Sequence, residues 1–332
     1  MKIRRKKKVV FRVIGNHLIG LGHVYRSLSI ARELNNYDIF FISDISNKNL
    51  LNNLVKPIYP VLFFSKDKII NEIIKMKPNL LINDILATKK NDVLPIKKQN
   101  INVINFEDLG VGSKYANLTI NEIYDKPKNR NRNTYWGSKY FFLRDEFIRK
   151  KKINFRKNIR EILITFGGTD QYNLSLRCYK ILKSICKINN IKIHIVIGPG
   201  NKYFNLIYKK VFNDNNVEVH YSTGIMSKIM SKCDVAISSN GRTVFELAHM
   251  NVPSIIISQH KRELTHSFSN KKNGFIPLGL YNPKTIEKLI SRNFNKLINN
   301  YEYRFDLYHN MKKFNFLSNK QNVINIIRQY IN

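Results

Sequence analysis

Short runs of β-branched and aromatic residues alternate with amphipathic helical patterns along this chain, and that alternation restricts its fold more than any other feature. In the first half VVFRVI (9–14), DIFFIS (38–43), VLFF (61–64), NLLIND (79–84) and INVINF (101–106) read as strands. Helical patterns lie between them at 22–34, 47–55 and 67–77. The strands are apolar on both faces, as in a parallel sheet covered by helices on both sides. The charged stretch RDEFIRKKKINFRKNIRE (144–161) breaks the rhythm and reads as a linker. The scheme then restarts with strands at 161–166, 191–198, 217–221, 234–238 and 253–258. Helices are expected at 172–187, 202–212, 224–232 and 242–250, and the tail after Asn282 carries amphipathic pieces at 284–297 and 319–331.

No fixed-period repeat is present, which excludes a solenoid. A length of 332 residues suits two domains, placed at 1–150 and 160–332, with the last helix able to pack back on the first. The expected fold is α/β, with two doubly wound Rossmann-like domains facing across a cleft. Ligands of such sheets bind outside the carboxyl ends of the strands.

Lys and Arg number 57 against 23 Asp and Glu, a formal charge of +34. The plain reading is compositional, because Lys, Asn and Ile are abundant nearly everywhere. An anionic ligand or peripheral association with a membrane surface is the functional alternative. A nucleic-acid partner is not expected, since the positive charge is spread over both halves and not gathered into one reading surface. Cys178, Cys186 and Cys233 show no CxxC spacing, which fits a reducing, cytoplasmic compartment. The amino-terminal apolar run is interrupted by Arg12 and lacks a small-residue cleavage site, so it does not read as a signal peptide. No stretch approaches the roughly 18 apolar residues of a membrane span.

Three loops carry the candidate chemistry. In IGLGHVYRSLSIAREL (19–34) a dinucleotide fingerprint would need a third glycine where Tyr25 stands, so NAD binding is disfavoured. Gly20 and Gly22 still allow the backbone to approach a ligand closely. His23 falls in the first turn of the following helix, where a neutral imidazole can accept a proton; a surface or capping histidine is the bland alternative. In FGGTDQYN (166–173), Gly167, Gly168 and Thr169 precede a helix and can cradle phosphate, unless Thr169 or Asp170 simply caps that helix. In ISSNGRTVFELAHMNVPSI (237–255), Ser239, Asn240, Gly241, Arg242 and Thr243 form a second anion turn, with an arginine available to a diphosphate. Glu246 can accept both hydroxyls of a ribose, or else merely complements the helix dipole.

Taken in order, GLGHVYRSLSIA, FEDLG, FGGTDQYNLSL and CDVAISSNGRTVFELAHMNVPSI resemble the nucleotide-sugar hydrolases of pseudaminic acid biosynthesis. These are GT-B-fold relatives of the N-acetylglucosaminyltransferase of peptidoglycan synthesis. SQHKRELTHSFSNKKNGFIPLGL (258–280), with Gln259 and His266, is more similar to the spore-coat-polysaccharide branch of that superfamily. The resemblance reaches to about residue 280. It implies a GT-B fold and cleavage of the bond between the anomeric carbon and the phosphate oxygen by water, with His23 as catalytic residue and UDP as leaving group.

It further implies that Gly167, Gly168 and the 239–243 turn hold the pyrophosphate and Glu246 the ribose. Asp84 and Asn121 match positions on the sugar side. Arg26, Gln259 and His266 are carried over as substrate-binding. No metal or other cofactor is needed in this scheme. A glycosyltransferase using the same residues, with an acceptor hydroxyl in place of water, is the alternative. The sugar, the nucleotide and the oligomeric state are not legible in the sequence.

Overall fold

In the computed structural model the described residues are 6–15, 21–127, 133–148, 154–221 and 224–331. The chain divides into two compact units, one of residues 1–144 with 318–332 and one of Asp145–Leu317.

The first unit runs β1 (Lys8–Val13), α1 (Gly22–Glu33), β2 (Asp38–Asp44), α2 (Lys48–Leu54), β3 (Val61–Phe64), α3 (Lys66–Met76), β4 (Leu80–Asp84), α4 (Lys90–Lys97), β5 (Asn102–Phe106), β6 (Leu118–Asn121) and β7 (Thr134–Trp136). Its sheet has the order β3-β2-β1-β4-β5-β6-β7, and every pairing is parallel. Apolar side chains alternate between two cores: Val9, Phe11 and Val13 enter one, and Val10 enters the other. That is why these strands read as continuous apolar runs.

The last helix of the chain, Asn319–Gln329, adds Val323, Ile324 and Ile327 to the first of these cores, all fully buried. Each such side chain contributes about 1.5–3 kcal/mol when withdrawn from water. Lys320 pairs with Glu33 at 2.7 Å, and Arg328 donates to the Glu33 carbonyl at 3.0 Å, which fixes the helix against the end of α1.

The second unit runs β8 (Glu161–Thr165), α5 (Leu174–Ile188), β9 (Lys192–Ile197), α6 (Phe204–Val211), β10 (Val217–Tyr221), α7 (Met226–Met230), β11 (Val235–Ser239), α8 (Thr243–His249), β12 (Ser254–Ser258), β13 (Phe275–Leu280), α9 (Ile286–Asn299) and α10 (Tyr301–Met311). Its order, β10-β9-β8-β11-β12-β13, repeats the arrangement of the first sheet, again wholly parallel. Cys178 and Cys186 sit on the core face of α5, and all three cysteines are buried free thiols.

Some elements lie outside the expected pattern. Helix α4 was not expected because Pro95 lies inside it, and proline normally ends a helix. Strand β13 holds Pro277 and Gly279, which are tolerated because it is an edge strand. The very short β6 and β7 also escaped the pattern, whereas α10 lies in the tail after Asn282 that was expected to be helical. No helix among the described residues is long and apolar enough to cross a membrane.

Candidate functional site

In both sheets the strand order reverses beside the first strand, between β1 and β4 and between β8 and β11. In open α/β sheets ligands bind at this switch point, where loops leaving neighbouring strands in opposite directions open a crevice. His23, Arg26 and Asp84 lie at the first of these places, and Gly167, Gly168, Thr169 and the 239–243 turn at the second.

In the first unit, α1 begins at Gly22 after the loop that leaves β1, and β4 ends at Asp84. His23 Nδ1 lies 2.5 Å from Asp84 Oδ1. Asp84 is fully buried and also accepts from Arg26, at 2.8 Å from Nε and 2.5 Å from Nη2, and from Ser27 Oγ at 3.3 Å. Burial alone would raise its pKa. The Arg26 and His23 charges and hydrogen bonds outweigh that and hold the carboxyl well below the usual range. An ionised Asp84 can only accept, so Nδ1 of His23 donates. The half-buried imidazole thus rests against a fully buried carboxylate.

Arg26 is the keystone of this arrangement. Its side chain is 1% exposed and also pairs with Glu122 at 2.7 Å and Glu107 at 3.6 Å. Its guanidinium lies 5.2 Å from the centre of the Phe106 ring. A buried arginine surrounded by three carboxylates holds them in place. Asp84 stands behind His23 and does not line a surface. Asn121 is also buried: its Oδ1 accepts from Asp108 N at 2.8 Å and its Nδ2 donates to Asp108 O at 3.2 Å. It therefore shapes the FEDLG loop. Gly20 lies outside the described residues, and Gly22 is half-buried at the start of α1. The roles of Glu107 and Glu122 were not anticipated, although FEDLG was among the telling motifs.

In the second unit, Gly167 has φ +69°, and a Cβ there would lie 3.9 Å from Ser239 Oγ, so the turns after β8 and β11 adjoin. Gly167, Gly168 and Thr169 are half-buried, as are Gly241, Arg242 and Thr243. Asp170 accepts from the backbone N–H of Leu174 at 2.6 Å and of Ser175 at 2.9 Å. Its carboxylate therefore caps the amino end of α5, the alternative the sequence offered for this turn, and the two glycines offer backbone N–H groups beside it.

Ser239, Asn240 and Glu246 are buried. Asn240 Nδ2 donates to the carbonyls of Glu263, at 2.7 Å, and His266, at 3.0 Å, while Ser269 Oγ donates to its Oδ1 at 2.7 Å. His266 Nδ1 donates to the Asn240 carbonyl at 2.5 Å. Burial pushes the His266 imidazole down to about 4, so it is neutral and suited to that bond. Gln259 accepts from Gln171 N at 2.9 Å and donates to the Phe166 carbonyl at 3.3 Å, joining the loop after β12 to the loop after β8. Asn240, Gln259 and His266 are thus braces for the turns. Glu263, a residue not singled out from the sequence, accepts from Gln259 N at 2.6 Å. Burial pushes its carboxyl up to about 7.

The fold is that of the GT-B class. MurG of Acinetobacter baumannii superposes with a TM-score of 0.67 over 97% of this chain and 99% of that one, at 14% identity. Residues 162–273 match the glycosyltransferase family 28 C-terminal domain.

Within that class the chain is similar to the spore coat polysaccharide biosynthesis protein SpsG of Bacillus subtilis, at 24% identity over 89% of this chain and 90% of that protein. It is 26% identical, over 72% of this chain and 87% of the relative, to the UDP-2,4-diacetamido-2,4,6-trideoxy-β-L-altropyranose hydrolase of Campylobacter jejuni. An uncharacterised protein of Methanocaldococcus jannaschii is 29% identical over 76% of this chain, which spans only 56% of that relative's length. These likenesses bear out the family resemblance seen in the sequence.

Proposed function

We propose that this protein hydrolyses a nucleotide-activated amino-deoxy sugar, releasing a nucleoside diphosphate, as a step in nonulosonic acid or surface-polysaccharide synthesis. The observation that carries the proposal is the 2.5 Å contact between His23 Nδ1 and the buried Asp84, which leaves Nε2 to take a proton from water. The water oxygen bonds to the anomeric carbon while the bond from that carbon to the phosphate oxygen breaks. The diphosphate leaves with the electron pair, the water proton passes to His23, and the anomeric centre inverts. Asp84 orients the imidazole and stabilises its protonated form, and Arg26 acts through Asp84 as a positioning residue.

In the second unit, the backbone of Gly167 and Gly168, the 239–243 turn and the Arg242 side chain are assigned to the diphosphate, and Glu246 to the ribose. The hydrolase relative from Campylobacter supports the choice of water as nucleophile. The family 28 domain over residues 162–273 favours a second reading, transfer of the sugar to an acceptor hydroxyl.

Incubation of the purified chain with UDP-linked amino-deoxy sugars decides between them. Release of UDP and free sugar in equal amounts without acceptor is expected. Product formation that requires an added lipid or sugar acceptor would establish transfer instead.

A further inference from the structure

A second cluster of ligating side chains lies in the second unit, away from the glycine turns. His194 is the third residue of β9, and Glu218 and His220 are the second and fourth of β10, the edge strand of that sheet. Glu218 stands directly across from His194 in the parallel register. Ile193, Ile195, Val217 and Val219 face the hydrophobic core. The alternation of a strand therefore puts His194, Glu218 and His220 together on the opposite face.

Three distances characterise the cluster. His194 Nδ1 lies 3.2 Å from His220 Nε2. Glu218 Oε2 lies 3.6 Å from His194 Nδ1, and Glu218 Oε1 lies 3.5 Å from His220 Nε2. Ligands of a tetrahedral zinc ion, at bond lengths of about 2.0–2.1 Å, are separated from one another by about 3.3 Å. The Glu218 carboxylate thus turns one oxygen to each imidazole, and each of the three distances is close to that spacing.

The fourth partner is Glu161 at the start of β8, whose Oε2 lies 2.6 Å from His194 Nε2. A carboxylate there accepts a hydrogen bond from Nε2–H and so turns the Nδ1 lone pair toward His220 and Glu218, the outer-shell device that fixes the tautomer of metal-bound histidines. The His194 side chain is buried, at 2% exposure, whereas that of Glu218 is 41% exposed, so the cluster has a rigid inner wall and an open outer side. Lys192 Nζ rests on Glu218 Oε2 at 2.7 Å and is itself exposed; it can swing away when a stronger cation arrives.

We propose that His194, Glu218 and His220 form a site for a divalent transition cation of the zinc type, with Glu161 orienting His194. The bound cation ties edge strand β10 to β9 from the face opposite the core, and solvent completes its coordination. Two imidazoles and one carboxylate select zinc-like ions over magnesium or calcium, which prefer all-oxygen sites. Cys178, Cys186 and Cys233 are buried and do not compete for the ion.

The test uses the untagged full chain, stripped with chelator and titrated with Zn²⁺ alone by calorimetry and with Co²⁺ by visible absorption. One equivalent per chain, Co²⁺ bands of tetrahedral intensity, and a rise of about 5 °C in melting temperature at a hundredfold excess over Kd are expected. His220→Ala weakens binding at least tenfold and abolishes the tetrahedral bands. Glu218→Gln, at an exposed side chain, gives the same readout should His220→Ala fold poorly. Lys192→Ala tightens binding severalfold by removing the competing ammonium. Absence of saturable binding, or binding that Glu218→Gln and His220→Ala leave unchanged, overturns the proposal.

Discussion

The two units use one topology and opposite chemistry at their switch points. In the first, charges are buried and matched: Arg26 holds Asp84, Glu107 and Glu122, and one imidazole rests on the set. In the second, glycines, amides and a neutral histidine brace the turns, the buried Asp170 carboxylate is spent on the N–H groups of α5, and burial pushes Glu263 toward the protonated form. The difference follows from what each site has to do under the proposed function. A base needs a fixed anion behind it, whereas a diphosphate site gains from exposed backbone N–H groups.

The largest effect should come from Arg26→Leu. It leaves the buried carboxylates without their counter-charge, and losing one partner of such a set costs about 3–5 kcal/mol. Denaturant unfolding of the variant checks this; stability near that of the natural chain would break the contrast between a charged and an uncharged site.

Next in size, His23→Ala should lower turnover by roughly 10²–10⁴-fold while nucleoside diphosphate affinity stays as it was. A parallel loss of affinity would show that the roles of the two units are not separate.

The units should also answer pH with opposite sign. Asp84, its folded pKa depressed, contributes stability that is present above the ordinary carboxylate range and lost as pH falls through the depressed value. For Glu263 the folded pKa is raised from 4.5 to about 7. Its contribution is present below the ordinary glutamate pKa and declines as pH rises toward about 7, by on the order of 3 kcal/mol. Glu263→Gln should flatten the stability profile between pH 5 and 8. It should also remove the weakening of diphosphate binding as Glu263 ionises beside the 239–243 turn; an unchanged profile would refute this account of Glu263.

The smallest effect is expected from Gly198→Ala. A Cβ there would sit 2.5 Å from the Gly167 carbonyl and from Gly168 Cα, both backbone atoms that must shift. We expect a loss of about 1–3 kcal/mol and weaker diphosphate binding, measured by thermal unfolding and calorimetry. Activity should fall through affinity and not through turnover at saturation.

Much of the fold was legible because strand and helix periods are local. The run DIFFIS was read as strand 38–43 and forms Asp38–Asp44, and VEVHY at 217–221 matches its strand at both ends. The failures have local causes too: Pro95 within α4 and Pro277 within β13 contradict the usual grammar, and the surrounding tertiary structure overrides it.

The candidate site was legible as loops but not as bonds. His23 and Asp84 are 61 residues apart, and Arg26 and Glu122 are 96 apart. Nothing local marks Glu122 as the partner of an arginine. Asn240, Gln259 and His266 read as ligand contacts because polar residues near glycine turns invite that reading. Their hydrogen bonds show them bracing the turns.

By itself the sequence determined the alternation of elements, the parallel sheets and the loops at which chemistry was to be sought. Those features depend on side-chain period and on glycine, which act over a few residues. Only the tertiary structure decided which charges are spent on one another, that Arg26 is a buried brace, that Asp170 closes the end of α5, and that two histidines and a glutamate meet on β9 and β10. Ion pairing and ligand geometry depend on distances of 2.5–3.6 Å between residues far apart in the chain, and those distances exist only once the sheets have formed.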